Sequence, residues 1–313
     1  MSQVRKAASF GITGIDESKI GVDFPKVMAR LRELRAKISP ADGHPGTEST
    51  GAHVYQGRGK LTGPNTVEVN GQTLKFKKLV LATGGRPAIP DIPGLRDSPY
   101  TTNENLFNLE ALPPRMVVLG SGVVALEMAQ TFSLLGSDVT VINRSSRLFE
   151  SKGGDEEASE LLQKELEADG VTFLSSAKIS NVETLSTDGA NGSNNGFPLM
   201  KVSVGGKDLE CELLLIATGR LANVENLGLE EAGVDYKAGA GVAVNEFCQS
   251  TSNPSVYGVG DCVADVPRLT HMSGEMAKMV VQNALAGDDW KLSSLVVPAV
   301  MYTVSCCSVP FGS

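Results

Sequence analysis

Residues Gly120-Ser121-Gly122-Val123-Val124-Ala125 follow the apolar run MVVL and open the helix-like stretch VVALEMAQTFSLL. A Gly-x-Gly-x-x-Ala at a strand-to-helix junction is a cradle for a dinucleotide pyrophosphate. Gly120 permits the tight turn, Gly122 lets the backbone approach the phosphates, and Ala125 keeps helix and strand close. The helix N-terminus adds free N–H groups and the positive end of its dipole. A lone motif of this kind can equally be a glycine-rich turn that only packs. Here a second strand, DVTVIN, follows about 20 residues on, which favours the dinucleotide site. That strand ends in Asn143 and Arg144, with Arg147 nearby. A unit for NAD places Asp or Glu there to accept hydrogen bonds from the ribose 2′-OH. With no carboxylate to repel a 2′-phosphate and two guanidiniums to pair with one, the pattern predicts NADPH over NADH. The alternative is that both arginines are merely solvated.

Other residues with chemistry to offer are less specific. Glu127 lies one turn into the same helix among apolar neighbours, where it either finds a cationic partner or stays partly exposed. The segment TSNPSVYGVGDC (251–262) reads as a turn, a short buried strand and then Gly260-Asp261. An acid there can accept from a ligand hydroxyl or cap a helix. His271 begins a helix-like stretch, and a lone His in that place is more often structural than catalytic. The vicinal Cys306-Cys307 pair has the softness for a metal ion but sits in a tail without regular pattern, so no metal site is expected. One echo stands out: LVLATG (79–84) and LLIATG (214–219), each a strand running into a Thr-Gly turn and on to an arginine. It hints at two related nucleotide-binding domains, one inserted into the other.

The elements that must position these residues follow from patterning. Against about 100–200 residues per domain, 313 residues predict two domains. Residues 23–38 read as an amphipathic helix capped by Asp23, with Phe24, Val27, Met28, Leu31, Leu34 and Ile38 at helical spacing and Arg30, Arg32, Arg35 and Lys37 on a solvated face. Short strands are expected from Ala52 to Phe76, with Asn70-Gly71 turning a hairpin. LVLATGG is read as a buried strand, and the Pro-rich RPAIPDIPG after it as a domain boundary. A strand–helix–strand unit covers 115–143, a helix 155–168 and a strand 171–174; 186–196 is a long hairpin loop, and LLLIATG closes the unit. No apolar run approaches the ~18 residues of a membrane span. A net charge of −8 without a basic stripe excludes nucleic acid and anionic membrane surfaces as partners. Five cysteines without framework spacing point to a reducing compartment, cytoplasmic or organellar.

Taken in order, LVLATGGRPAIPDIPG, GSGVVALEMAQTFSLLGSDVTVINRSSRLF, LLLIATGR and TSNPSVYGVGDC resemble the flavin-dependent pyridine nucleotide–disulfide oxidoreductases. The non-acidic strand end and VPAVMYT (297–303) look most like the mercuric reductase branch. The resemblance implies an α/β chain in which a Rossmann-like NAD(P)H domain (113–222) is inserted into an FAD-binding domain of the three-layer β/β/α type (1–112 and 223–297). It implies that Thr83 and Gly84 lie against the flavin nucleotide, that Gly260 and Asp261 hold its phosphate–ribityl arm, and that Gly219-Arg220 sits near the flavin. The helix start at His271 would face the flavin's pyrimidine edge. Gly120, Gly122, Val123 and Ala125 would line the NADPH site, with Arg144 and Arg147 at the 2′-phosphate. Glu127 matches the family carboxylate that pairs with a lysine beside the flavin.

The pattern also breaks. The family opens with its own Gly-x-Gly-x-x-Gly and a Cys-x4-Cys redox pair, and this chain has neither. After Tyr302-Thr303 it continues with Asp-Pro-Glu into an interface domain that makes the homodimer, where this chain reads VSCCSVPFGS. The expectation is therefore an incomplete FAD domain, an aberrant tail at 298–313 and a truncated or misread gene. The function implied is hydride transfer from NADPH to FAD and on to a disulfide or Hg(II), inactive in this chain. Dihydrolipoamide dehydrogenase-like or glutathione reductase-like activity, or a non-catalytic nucleotide-binding fragment, are the alternatives.

Overall fold

The computed structural model describes residues 2–5, 7–16, 19–150, 154–187 and 196–304. Most of the 186–196 loop and the Cys306-Cys307 pair lie outside the described residues. The chain forms two compact units, one from Met1–Ile38, Pro87–Gly219 and Ala299–Ser313, the other from Ser39–Arg86 and Arg220–Pro298.

The first unit is built on β1 (Arg115–Leu119), α1 (Val123–Leu135), β2 (Asp138–Ile142), α2 (Glu156–Ala168), β3 (Val171–Leu174), β4 (Ile179–Ser186), β5 (Leu199–Val204), β6 (Lys207–Cys211) and β7 (Leu213–Ile216). Strands β7-β1-β2-β3 form one parallel sheet in that order. Strands β4, β5 and β6 form an antiparallel meander. The near-continuous apolar runs of β1 and β7 follow from burial on both faces. Met116, Val118, Leu213 and Leu215 point into a core shared with Leu126, Phe132 and Leu162 of the helices. Val117, Leu119, Leu214 and Ile216 point into a second core with Ile179, Val182 and Met200 of the meander. Parallel sheet, helices and meander are thus three layers. Helix α1 stops at Gly136, which takes the left-handed conformation at φ 116°. Asp155 caps α2 by accepting from the Ala158 N–H at 2.8 Å.

The first long helix runs Phe24–Asp42, four residues beyond the expected end and through Pro40. Asp23 caps it, accepting from the Lys26 N–H at 3.1 Å. Only Phe24 and Met28 of its apolar stripe are buried, while Val27, Leu34 and Ile38 are exposed. The core reaches only the helix's first turn and a half, so helical spacing overstated its buried face.

In the second unit Lys60–Gly63, Thr66–Val69 and Gln72–Lys75 form an antiparallel meander. Asn70 (φ 50°) and Gly71 (φ 77°) turn its hairpin as expected. Leu79–Leu81 pairs in parallel with Val256–Gly258. Leu81 is buried but Val80 is 44% exposed, which corrects the reading of a fully buried strand: a sheet of two strands has a face with no layer over it. Helix Thr270–Val281 packs Met272, Met276, Met279 and Val280 into this unit's core. No described helix is long and apolar enough to cross a membrane.

Candidate functional site

At the end of β1 the chain turns on Gly120, whose φ of +123° disfavours any L side chain. A Cβ there would lie 2.4 Å from the Ala217 carbonyl oxygen. The turn falls where β1 has β2 on one side and β7 on the other, the point at which strand order reverses. Gly122 is the N-cap of α1 and offers no side-chain cap, so the first N–H groups of the helix are left for another acceptor. A Cβ at Gly122 would meet nothing within 4 Å. Val123 opens the helix half-buried, and Ala125 is fully buried beneath it. This open, uncapped helix start is what an anion needs.

Asn143, at the end of β2, is buried. Its Oδ1 accepts from the Ser121 hydroxyl at 2.7 Å and from the Ser145 N–H at 3.2 Å, and its Nδ2 donates to the Arg147 carbonyl at 3.1 Å. Arg144 is exposed and has no hydrogen-bond or ion-pair partner among the described residues. Arg147 is half-buried and donates to the Gly154 carbonyl at 2.7 Å.

Glu127 is half-buried, and its carboxylate meets a backbone donor, the Tyr302 N–H at 2.8 Å. One turn on, the Gln130 Oε1 accepts from the Val304 N–H at 3.1 Å. Met301, just before these contacts in the chain, is buried in the same core as Phe24 and Phe132. Spacing alone missed this attachment, since the donors are main-chain groups about 175 residues away. The closing turn of the unit is held by Thr218, whose hydroxyl donates to the Ala88 carbonyl at 2.6 Å, and by Gly219 at φ +128°.

The echo of that turn is in the second unit. Gly84 has φ +68°, and the Thr83 hydroxyl donates to the Asn223 carbonyl at 2.7 Å while Asn223 Nδ2 donates to the Thr83 carbonyl at 3.1 Å. Gly260, at φ +72°, abuts Ser273 near the start of Thr270–Val281. Asp261 accepts from Arg220 Nε at 2.6 Å, and Arg220 Nη2 donates to the Gly85 carbonyl at 2.8 Å. Sequence reading gave Arg220 and Asp261 separate roles; the fold pairs them. His271 is exposed, the second residue of its helix.

Sequence reading marked Arg86 only as the arginine after the first Thr-Gly turn and gave it no role, yet it anchors this region. Its Nη1 and Nη2 reach Glu225 at 2.9 and 2.8 Å, and Nη1 also donates to the Ala222 carbonyl. The bidentate guanidinium holds the Glu225 carboxyl down at about 2, below the usual carboxylate range. A depressed carboxyl stabilises fully above its unfolded value near 4.5 and loses that contribution as pH falls through about 2. Both side chains are over a third exposed, so the pair is worth at most ~1 kcal/mol. Urea unfolding should show Glu225→Gln less stable than the parent at pH 6, with the gap closing toward pH 2. A gap independent of pH would refute the pairing.

The three described cysteines, Cys211, Cys248 and Cys262, are free and buried. Burial pushes the thiols of Cys211 and Cys248 up to about 12, so neither offers a thiolate near neutrality. No group of three or more His, Cys, Asp or Glu that could hold a metal ion occurs among the described residues.

This chain is 34% identical over 252 residues to a mercuric reductase of Lysinibacillus sphaericus, covering 80% of the chain and 44% of that protein. It is likewise 34% identical over 236 residues to a glutathione reductase of Nostoc, covering 71% of the chain and 48% of that protein. The chain thus spans less than half the length of either relative. Among solved structures, the HOCl-induced flavoprotein disulfide reductase RclA from Escherichia coli superposes with a TM-score of 0.76 at 22% identity, over 86% of this chain and 59% of that one. The pyridine nucleotide-disulphide oxidoreductase pattern matches residues 24–277, a span that takes in both Thr-Gly turns, the Gly120 cradle and the Gly260-Asp261 turn. The chain therefore belongs to the pyridine nucleotide-disulphide oxidoreductases, a family of FAD-dependent enzymes.

Proposed function

We propose that residues 113–222 are an NADP(H)-binding domain inserted between two stretches of FAD-binding type, 1–112 and 223–297, and that the 313-residue chain binds NADPH without completing a reductase cycle. The observation that carries this is the open, uncapped start of α1 beside Gly120 and Gly122, at the point where strand order reverses. Gly120, Gly122 and Ala125 would seat the pyrophosphate, and Arg144 would meet the 2′-phosphate. NADPH, when bound, supplies a hydride. The chain's own residues bind and orient it, with Val123 at the mouth of the site and Glu127 held one turn into the helix.

FAD is served less well. Gly260-Asp261 would meet the flavin's phosphate–ribityl arm, but the Asp261 carboxylate is already engaged by Arg220. The 313 residues contain one Gly-x-Gly-x-x-Gly/Ala turn and no Cys-x4-Cys pair. These residues do not make a complete flavin site or a redox dithiol, so no flavin step is derived from them. In the lineage, electrons would pass to a disulfide or to Hg(II), as the names of the two relatives indicate.

Gel filtration of the purified chain with added FAD should return a colourless protein. NADPH titration, followed by nucleotide fluorescence, should give saturable binding at least about tenfold tighter than NADH, as a charge-assisted contact of 1.5–3 kcal/mol requires. NADPH-dependent reduction of glutathione disulfide or Hg(II) by the chain alone would overturn the proposal, and so would equal affinity for both nucleotides.

A further inference from the structure

We infer that residues 301–304 tether Glu127: their main chain holds its carboxylate off the start of α1, so that an anion can enter there. The inference rests on the NADP(H) reading above and makes the Tyr302 N–H a positioning group for the nucleotide. Glu127 lies five residues past the N-cap Gly122, about 7.5 Å along the helix axis. Side chains on a helix lean toward its N-terminus, and the dipole draws a carboxylate the same way. An untied Glu127 would therefore crowd the N–H groups that a pyrophosphate needs and repel its charge. Among the described residues Glu127 has no ion-pair partner. What it has is the Tyr302 N–H on Oε1 at 2.8 Å.

Other contacts keep the tether in place. Met301 is buried in the core that holds Phe24 and Phe132. The Val304 N–H donates to Gln130 Oε1 at 3.1 Å, and Gln130, itself buried, is fixed by donating from Nε2 to Asp169 Oδ2 at 2.7 Å. Tyr302 is 80% exposed, so it acts through its main chain and its ring is incidental. A neutral N–H directs a carboxylate without cancelling its charge, unlike a lysine or arginine. What the tether sets is where that charge sits. Its effect on an anionic nucleotide must therefore depend on the charge at position 127 and must be screened by salt.

The test titrates NADPH into the full 313-residue chain and its variants at about 10 mM and about 1 M salt, where the Debye lengths are about 30 and 3 Å. Tyr302→Pro removes the donor and Tyr302→Ala keeps it. At low salt the proline chain should bind NADPH about threefold more weakly than the alanine chain. At high salt the two should agree. Glu127→Asp keeps the charge but falls a methylene short of the donor. It should bind about threefold more weakly than Glu127→Gln, again only at low salt. In the Glu127→Gln background the proline and alanine chains should bind alike, because no charge is left to misplace. A proline loss that persists at high salt or in that background would mean that the segment only supports the fold, and would overturn the inference. Equal binding by the Asp and Gln chains at low salt would overturn it too. Should Tyr302→Pro fail to fold, the Asp–Gln comparison still decides it. NADPH binding by the parent with no difference among the variants sinks this inference alone; no binding by the parent sinks the NADP(H) reading.

Discussion

Gly120→Ala is expected to abolish NADPH binding and to destabilise the nucleotide unit by about 3 kcal/mol, a strained φ and a backbone clash combined. The added Cβ would sit 2.4 Å from the Ala217 oxygen and 2.8 Å from its carbonyl carbon. Neither atom belongs to a side chain that can swing away. Ala217 is fixed through its N–H to the Leu119 carbonyl at 2.9 Å, and β7, just before it, pairs with β1 along its whole length. The turn itself must therefore open, carrying the start of α1 with it. Gly122→Ala is the matched control. At φ −82° and with nothing near the new methyl, it should fold like the parent. The methyl would nonetheless occupy the space a pyrophosphate needs, so its affinity for NADPH should fall at least about tenfold. Urea unfolding and nucleotide titration on both variants separate the two effects. Parent-like binding by the Gly120→Ala chain would mean that this turn does not cradle the nucleotide.

What the sequence displays and what it hides divide along physical lines. Local chemistry is legible: Asp23 and Asp155 cap their helices, and Asn70-Gly71 makes a hairpin, because each interaction spans a few residues. The parallel sheet is legible for a different reason. MVVL and LLLI are apolar at every position because both faces are covered, one by helices and the other by the meander. Which residue faces which layer is not written in such a run. Partners brought together by topology are hidden too. Arg220 and Asp261 are 41 positions apart, Arg86 and Glu225 139, and Glu127 and Tyr302 175. Glu127 shows the difficulty plainly: a carboxylate among apolar neighbours predicts a donor, yet nothing local says that the donor is a main-chain N–H. The first long helix errs the other way, since its stripe has helical period but only Phe24 and Met28 have a core to enter.

The second large effect is expected at the far end of β1. Glu212 is 2% exposed and accepts from Arg115 three ways: Nη2 at 2.6 Å, Nε at 3.2 Å and the main-chain N–H at 2.9 Å. In the other direction the Glu212 N–H donates to the Arg115 carbonyl at 3.1 Å. The carboxylate raises the Arg115 guanidinium above its already high range. Removing one member of a fully buried pair costs 3–5 kcal/mol, but Arg115 is 38% exposed and recovers hydration when left alone. Glu212→Ala should thus cost about 2 kcal/mol, much of it from the main-chain N–H of Arg115 losing its acceptor. Arg115→Met should cost more, about 3–5 kcal/mol, because it strands the buried carboxylate. Arg115 also holds Glu210 at 3.0 Å, a contact too exposed to change that order. β1 is five residues long, which puts about 16 Å between this pair and the Gly120 turn. Both variants should therefore bind NADPH as the parent does below their melting temperatures. Loss of affinity at temperatures where circular dichroism shows the chain folded would mean that the base of the sheet shapes the nucleotide site, and that the cradle is not set by its own turn alone.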